Sequence, residues 1–252
     1  MLTLTSAQIE AMMGAFFWPF VRVLALVMSA PVFGHRSVPR RVKVGLAALI
    51  TLLVAPGLPA PPPLSQDDAF LLLIQQMLIG IALGFAMQVA FAAVQLAGDL
   101  IGMQMGLSFA NFIDPQHSGQ SPVLGMMLGL FATLIFLSID GHLLLVAALA
   151  ESFRLAPIGL EPLWGARWAG LLGWGGQLFR IGLHLALPLL AAMLAVNIAL
   201  GILTRAAPQL NLFSIGFPVA LIAGIAMFAL LLPYLGGPIQ AVLLEALHLP
   251  LR

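Results

Sequence analysis

The sequence predicts an all-α membrane protein built from broken and overlong helices, and three observations carry that reading. Hydrophobic residues fill 62% of the 252 positions and charged residues only 8%, too little polar surface to cover a soluble domain. The apolar residues form long runs with no strand-like pattern. Many of the 25 glycines and 18 prolines lie inside those runs, as in closely packed membrane helices. A net charge of +1 argues against a nucleic-acid partner, which needs a concentrated basic face. With no cysteine, disulfides, thiolate metal sites and cysteine nucleophiles are excluded.

The first apolar run covers Met12 to Phe33, with only Glu10 ahead of it. It lacks the positive leading region of a secretory signal, so it is expected to be retained. Pro19 and Arg22 interrupt it. An arginine at that depth either pairs or faces the bundle interior, or it snorkels toward a headgroup. The link HRSVPRRVK crowds Arg36, Arg40, Arg41 and Lys43 together, a cytoplasmic anchor under the positive-inside rule that places the N-terminus outside. Val44 to Val54 is only about half the ~20 residues a straight span needs. Pro56, Pro59, Pro61, Pro62 and Pro63 make a rigid linker. Ser65, Asp67 and Asp68 then supply a helix start.

From there to Met105 no proline or polar loop intervenes. About forty helical residues would extend roughly 60 Å, twice the hydrocarbon thickness. Either the helix leaves the membrane or it turns sharply near Gly80, Gly84 or Gly98. Gln75, Gln76, Gln88, Gln95 and Asp99 need protein or water partners in either case. Gly98, Gly102 and Gly106 recur every four residues, a face that another helix backbone can approach closely. The chain then changes character. Asp114-Pro115 and the Ser118-to-Pro122 cluster are turn chemistry, yet Phe109, Phe112 and Ile113 are apolar. Residues 106 to 122 therefore read as an apolar loop at membrane depth, covered by protein.

Val123 to Ile139 is apolar, Asp140-Gly141 is a tight turn, and Leu143 to Ala150 is too short to span. Together they predict a hairpin that enters the membrane without crossing it. Glu151, Arg154, Glu161 and Arg167 mark a partly aqueous connection with Trp164 and Trp168 as interface residues. Ala169 to Leu203 is a second overlong run, interrupted by Pro188 and carrying Arg180 and His184 four apart. Arg205 and NLFSIGFP precede a last run, Ala220 to Leu232. Gly236-Gly237-Pro238 is expected to break the chain before a C-terminal amphipathic tail over residues 238 to 252, with Glu245 and His248.

Little in this pattern points to catalysis. Ser138, Asp140 and His142 are the residue types of a hydrolytic site, but groups so close in sequence face different directions on any regular element. The Asp-Gly pair reads first as a turn. The five histidines lack metal-ligand spacing, so no catalytic, cofactor or metal site is expected. The Gly80/Gly84 and Gly125/Gly129 pairs are helix-packing faces by default. Arg22, Asp99 and Arg180 are the candidate buried charges, and with His184 they are what a secondary transporter or small channel would use for a solute or protons. Against that class, no duplicated half with matching broken helices is visible.

Three stretches, RVLALVMSAPVFGHRSVPRRVK, GDLIGMQMGLSFANFIDPQ and APQLNLFSIGFP, together resemble the FliR family of type III secretion export-gate proteins, in order and with similar spacing. The resemblance implies a single non-enzymatic gate subunit of bent helical hairpins, similar to a fusion of a FliP-like and a FliQ-like part. It further implies partners FliP and FliQ, with FlhB and FlhA in the same export apparatus, unfolded flagellar proteins as substrates, and membrane lipid around the assembly. The location implied is the bacterial inner membrane at the flagellar basal body. Gly106, Leu107, Ser108, Phe109, Ala110, Asn111, Phe112 and Ile113 are the positions that match the family's pore-plugging loop.

Overall fold

A computed structural model describes residues 6–59, 68–107, 123–159, 166–207 and 216–248, the side chains of 6–9 and 166–169 excepted. Seven α-helices follow one another among the described residues: α1 (Ser6–Ser29), α2 (Arg40–Val54), α3 (Ala69–Gln104), α4 (Val123–Ser138), α5 (Gly141–Leu155), α6 (Ala166–Ala206) and α7 (Phe217–His248). A short 3-10 turn, Ala55–Gly57, extends α2. No strand occurs among the described residues. Among the described residues, four helices are long and apolar enough to cross a membrane, within α1, α3, α6 and α7, or five spans if α4 and α5 together make one. The chain is an all-α membrane protein.

Several expected breaks are absent. α3 is continuous through Gly80, Gly84 and Gly98 over 36 residues, because a glycine lowers helix propensity without forbidding the helix. α1 continues through Pro19, α6 through Pro188, and α7 through Pro233 and Pro238. The expected stop at Gly236-Gly237-Pro238 is thus corrected. In an apolar setting, a helix is the conformation that satisfies most backbone groups internally, and a proline interrupts only part of one turn. A true break does occur at Asp140, whose φ of 55° lies in the left-handed region and separates α4 from α5.

The chain forms two compact units, each assembled from distant stretches. The first comprises residues 1–89, 140–175 and 243–252. Its core includes Trp18, Val23, Leu26, Leu72, Met87, Leu145 and Leu149. α2 packs on α1, and the link between them is closed from within by Lys43, whose Nζ donates to Gly34 O at 2.7 Å. Lys43 is buried, so only Arg36, Arg40 and Arg41 of the basic cluster remain on the surface. The N-terminal half of α3 lies directly against α1. A side-chain carbon at Gly80 would collide with Arg22 O and Ala25 Cβ, and one at Gly84 with Ser29. Gln88 Nε2 donates to Ser29 O at 2.8 Å, and Trp174 Nε1 to Ala86 O at 3.0 Å.

The second unit comprises residues 90–139 and 176–242. Ala93, Val94, Ala97 and Ile101 of α3 are buried, as are Leu128 and Phe136 of α4 and Leu189 and Met193 of α6. Phe91 and Phe136 meet edge to face with centroids 5.9 Å apart, a favourable aromatic geometry. Burial falls sharply along the chain: 56% of the most apolar window of α3 is buried, but 28% for α6 and 22% for α7. Those last two helices leave most of their apolar surface to whatever surrounds the chain.

Candidate functional site

Arg22 is fully buried in the first unit. It does not snorkel, and none of its partners is a carboxylate. Nε donates to Gln76 Oε1 at 2.8 Å, Nη1 to Ser152 O at 3.0 Å and Ser152 Oγ at 3.2 Å, and Nη2 to Ala156 O at 2.8 Å. Ser152 Oγ donates in turn to Leu149 O at 2.6 Å. Two of these acceptors are main-chain carbonyls at the C-terminal end of α5, where unpaired carbonyls and the negative dipole end favour a cation. The guanidinium also lies over the Phe153 ring, 4.1 Å from its centroid, adding a cation–π contact. Arg22 is therefore the C-terminal cap of α5, supplied from α1. Beside it, Gln75 Oε1 and Gln76 Nε2 are buried without a hydrogen-bond partner.

In the second unit, glycines bring α3 and α4 together. A Cβ at Gly98 would sit 2.5 Å from Leu124 O and 2.7 Å from the Gly125 backbone, so the two main chains meet there. Gly125 and Gly129 return the favour in kind: a Cβ at Gly125 would collide with Asp99 Oδ1, and one at Gly129 would lie 2.9 Å from Gln95 Nε2. The Gln95 and Asp99 side chains, one helical turn apart, thus lie across the α4 backbone. Asp99 is half-buried, with no ion pair or hydrogen bond among the described residues.

Gly102 occupies a roomier place than the regular glycine spacing predicts. Its added Cβ would find only Leu124 and Leu107 side-chain atoms at 3.8 to 4.0 Å, which is ordinary contact. The close approach of helices is centred on Gly98, and Gly102 lies at its edge. Arg180, expected among the buried charges, is exposed, as is His184. The reason is local. Gly182, between them, faces Ala93 O and Leu96 of α3 at 2.9 Å from its added Cβ, and residues two apart on a helix point to opposite sides.

The stretch expected to form a loop follows a well-defined cap at the end of α3. Gly106 has φ 82°, Gly106 N donates to Met103 O and Leu107 N to Gly102 O, both at 3.0 Å. These two bonds with a left-handed glycine are a Schellman motif, which ends a helix and satisfies its last carbonyls. Ser108, Phe109, Ala110, Asn111, Phe112 and Ile113 lie outside the described residues. The Schellman glycine was legible in principle as a glycine at the end of an apolar helix. The Arg22 network was not, because its partners are 54 to 134 residues away.

Comparison with known proteins matches residues 13–246 to the family described as bacterial export proteins, family 1. The chain is 50% identical to the flagellar biosynthetic protein FliR of Escherichia coli (strain K12) over 234 residues, covering 92% of this chain and 90% of that protein. It is 49% identical to the FliR of Pectobacterium carotovorum subsp. carotovorum over the same shares, and 35% identical to that of Bacillus subtilis (strain 168), covering 84% of each. Identity at this level across nearly the whole length, together with a matching family model, means that the chain belongs to the FliR family of bacterial export proteins.

Proposed function

We propose that this chain is a non-enzymatic subunit of the flagellar type III export gate in the bacterial inner membrane. With FliP and FliQ it forms the channel through which unfolded flagellar proteins leave the cytoplasm, and FlhB and FlhA are its neighbours in the basal body. The observation that carries this reading is the polar surface of α6. Arg180, His184 and Asn197 are exposed along a candidate span, where lipid would leave such groups without partners at considerable cost. Neighbouring subunits or a water-filled lumen satisfy them, and a gate supplies both. Residues 106 to 122 contribute the closure. A passage for unfolded protein must stop ions at rest yet admit side chains of any shape, which favours deformable apolar groups that block by dewetting.

The test joins assembly to conductance. Wild-type chain, co-expressed with FliP and FliQ, is expected to be recovered with them in gentle detergent. Replacing Leu107, Phe109, Phe112 and Ile113 together with serine should leave that recovery intact and make the membrane leaky to ions, measured as conductance in planar bilayers. Loss of the complex would assign the four residues to an ordinary packed turn, since truncated core side chains cost roughly 2 to 5 kcal/mol each. Normal recovery without leak would overturn the closure role.

A further inference from the structure

We infer that Asp99, set between α3 and α4 in the second unit, is the anionic half of an inter-subunit ion pair whose other half is a lysine or arginine on a membrane helix of a partner chain. Three observations converge on it. Asp99 is half-buried on a candidate membrane span and has no ion pair or hydrogen bond among the described residues. Its carboxylate occupies a notch that exists only because Gly125 lacks a side chain; alanine there would displace it. The arginines of the same unit, Arg180 and Arg205, are exposed on α6, as is His184, and form no ion pair with it among the described residues; Gly182 turns the side of the helix opposite Arg180 and His184 toward α3.

The chemistry of the missing partner follows from the position. Asp99 lies in the C-terminal portion of α3, just before its last turn. A carboxylate there favours a cation over a neutral donor. The surface around it is apolar and uncovered: Met126 and Leu130 of α4 are 60% and 66% exposed, and Met103 of α3 is 53% exposed. Acyl chains would cover those side chains but offer nothing to the carboxylate. A helix with one basic residue among apolar ones satisfies both, and the glycine-thinned α3–α4 surface lets it come close. This inference rests on the gate-subunit reading and specifies how the subunit is held.

The experiment uses the full chain co-expressed with FliP and FliQ in membranes. A photo-cross-linking amino acid at Met126 should trap a segment of one of those chains that carries a lysine or arginine within one helical turn of the cross-link, identified by mass spectrometry. Asp99→Lys should lower recovery of the complex about tenfold or more, because like charges meet at the interface. Exchanging the identified basic residue for Asp should restore recovery in the Asp99→Lys background while lowering it in the wild type. Asp99→Asn, which keeps the shape, tests whether charge matters: recovery should fall and become insensitive to salt. Failure of the wild-type chain to co-purify with FliP and FliQ would overturn the gate reading itself. Co-purification of Asp99→Lys at wild-type yield, a cross-link confined to lipid, or absence of reciprocal rescue would overturn the ion pair alone.

Discussion

Two charged residues on apolar helices, Arg22 in the first unit and Asp99 in the second, are treated in opposite ways by the fold. Arg22 has four hydrogen bonds and an aromatic face, all from within its own unit. Asp99 has a shaped resting place and no ion-pair or hydrogen-bond partner among the described residues. The comparison separates a charge satisfied within its own unit from one left, on the ion-pair proposal, to a partner chain. The packing of the two units does not share that contrast. At Gly80 and Gly84, α3 lies against α1, and at Gly98 and Gly125 it lies against α4; apolar side chains are exposed in both units, Leu53 and Phe70 in the first and Met126 and Leu130 in the second.

The contrast can be broken most severely at Arg22. Arg22→Ala removes the cap of α5 and leaves Gln76 Oε1 and Ala156 O buried without a donor, each costing roughly 1 to 3 kcal/mol, while Ser152 O keeps the Ala156 N–H. The chain should fail to accumulate in membranes, measured by immunoblot, even without partner subunits. Arg22→Lys keeps the charge but not the planar fork that reaches several acceptors at once, so it should accumulate at an intermediate level. Full accumulation of the lysine variant would show that charge alone suffices.

A smaller effect is expected at the α3–α4 seam. Gly98→Ala places a methyl group 2.5 Å from Leu124 O and forces two backbones apart, at a cost of about 1 to 3 kcal/mol. Gly102→Ala meets only ordinary contacts and should be near neutral. Thermal unfolding of the two purified variants in one detergent separates them, and equal midpoints would mean that the seam is not centred on Gly98.

The cap of the loop comes next. Gly106→Ala must hold a left-handed conformation or lose the Schellman bonds, which should cost about 1 to 2 kcal/mol and raise proteolytic cutting after α3 in limited digestion. The smallest and only stabilising change is Asp140→Gly. Asp140 adopts φ 55° and its side chain caps nothing, so glycine should be neutral or stabilising by up to about 1 kcal/mol. Export of flagellin by cells carrying this variant should be unchanged if Asp140 is a turn residue without chemical duty.

Much of the helix content was legible because the apolar runs are long and periodic patterns are unnecessary to detect them. The turn at Asp140-Gly141 was legible from its chemistry, and the end of α3 from its glycine. Prolines and paired glycines misled: the same residues that stop a helix in water are carried inside one here, since the medium around an apolar chain offers no substitute for the helical hydrogen bond. Glycine spacing marked Gly98, Gly102 and Gly106 as one face, but α4 approaches that face closely at Gly98 and only loosely at Gly102. Periodicity selects a face of a helix and says nothing of where along it the neighbour crosses.

Composition and motif order are properties of the chain alone, so an all-α membrane protein, the places where its polar groups stand out and the family it resembles could all be read without coordinates. Only the tertiary structure decided the fate of each polar group. Arg22, Asp99 and Arg180 are alike in sequence, each a lone charge in an apolar helix. One is enclosed among carbonyls, one rests in a glycine notch, and one is exposed. The physical reason is that a hydrogen bond is directional and reaches about 3 Å, so its partners depend on which distant residues the packing brings within that distance.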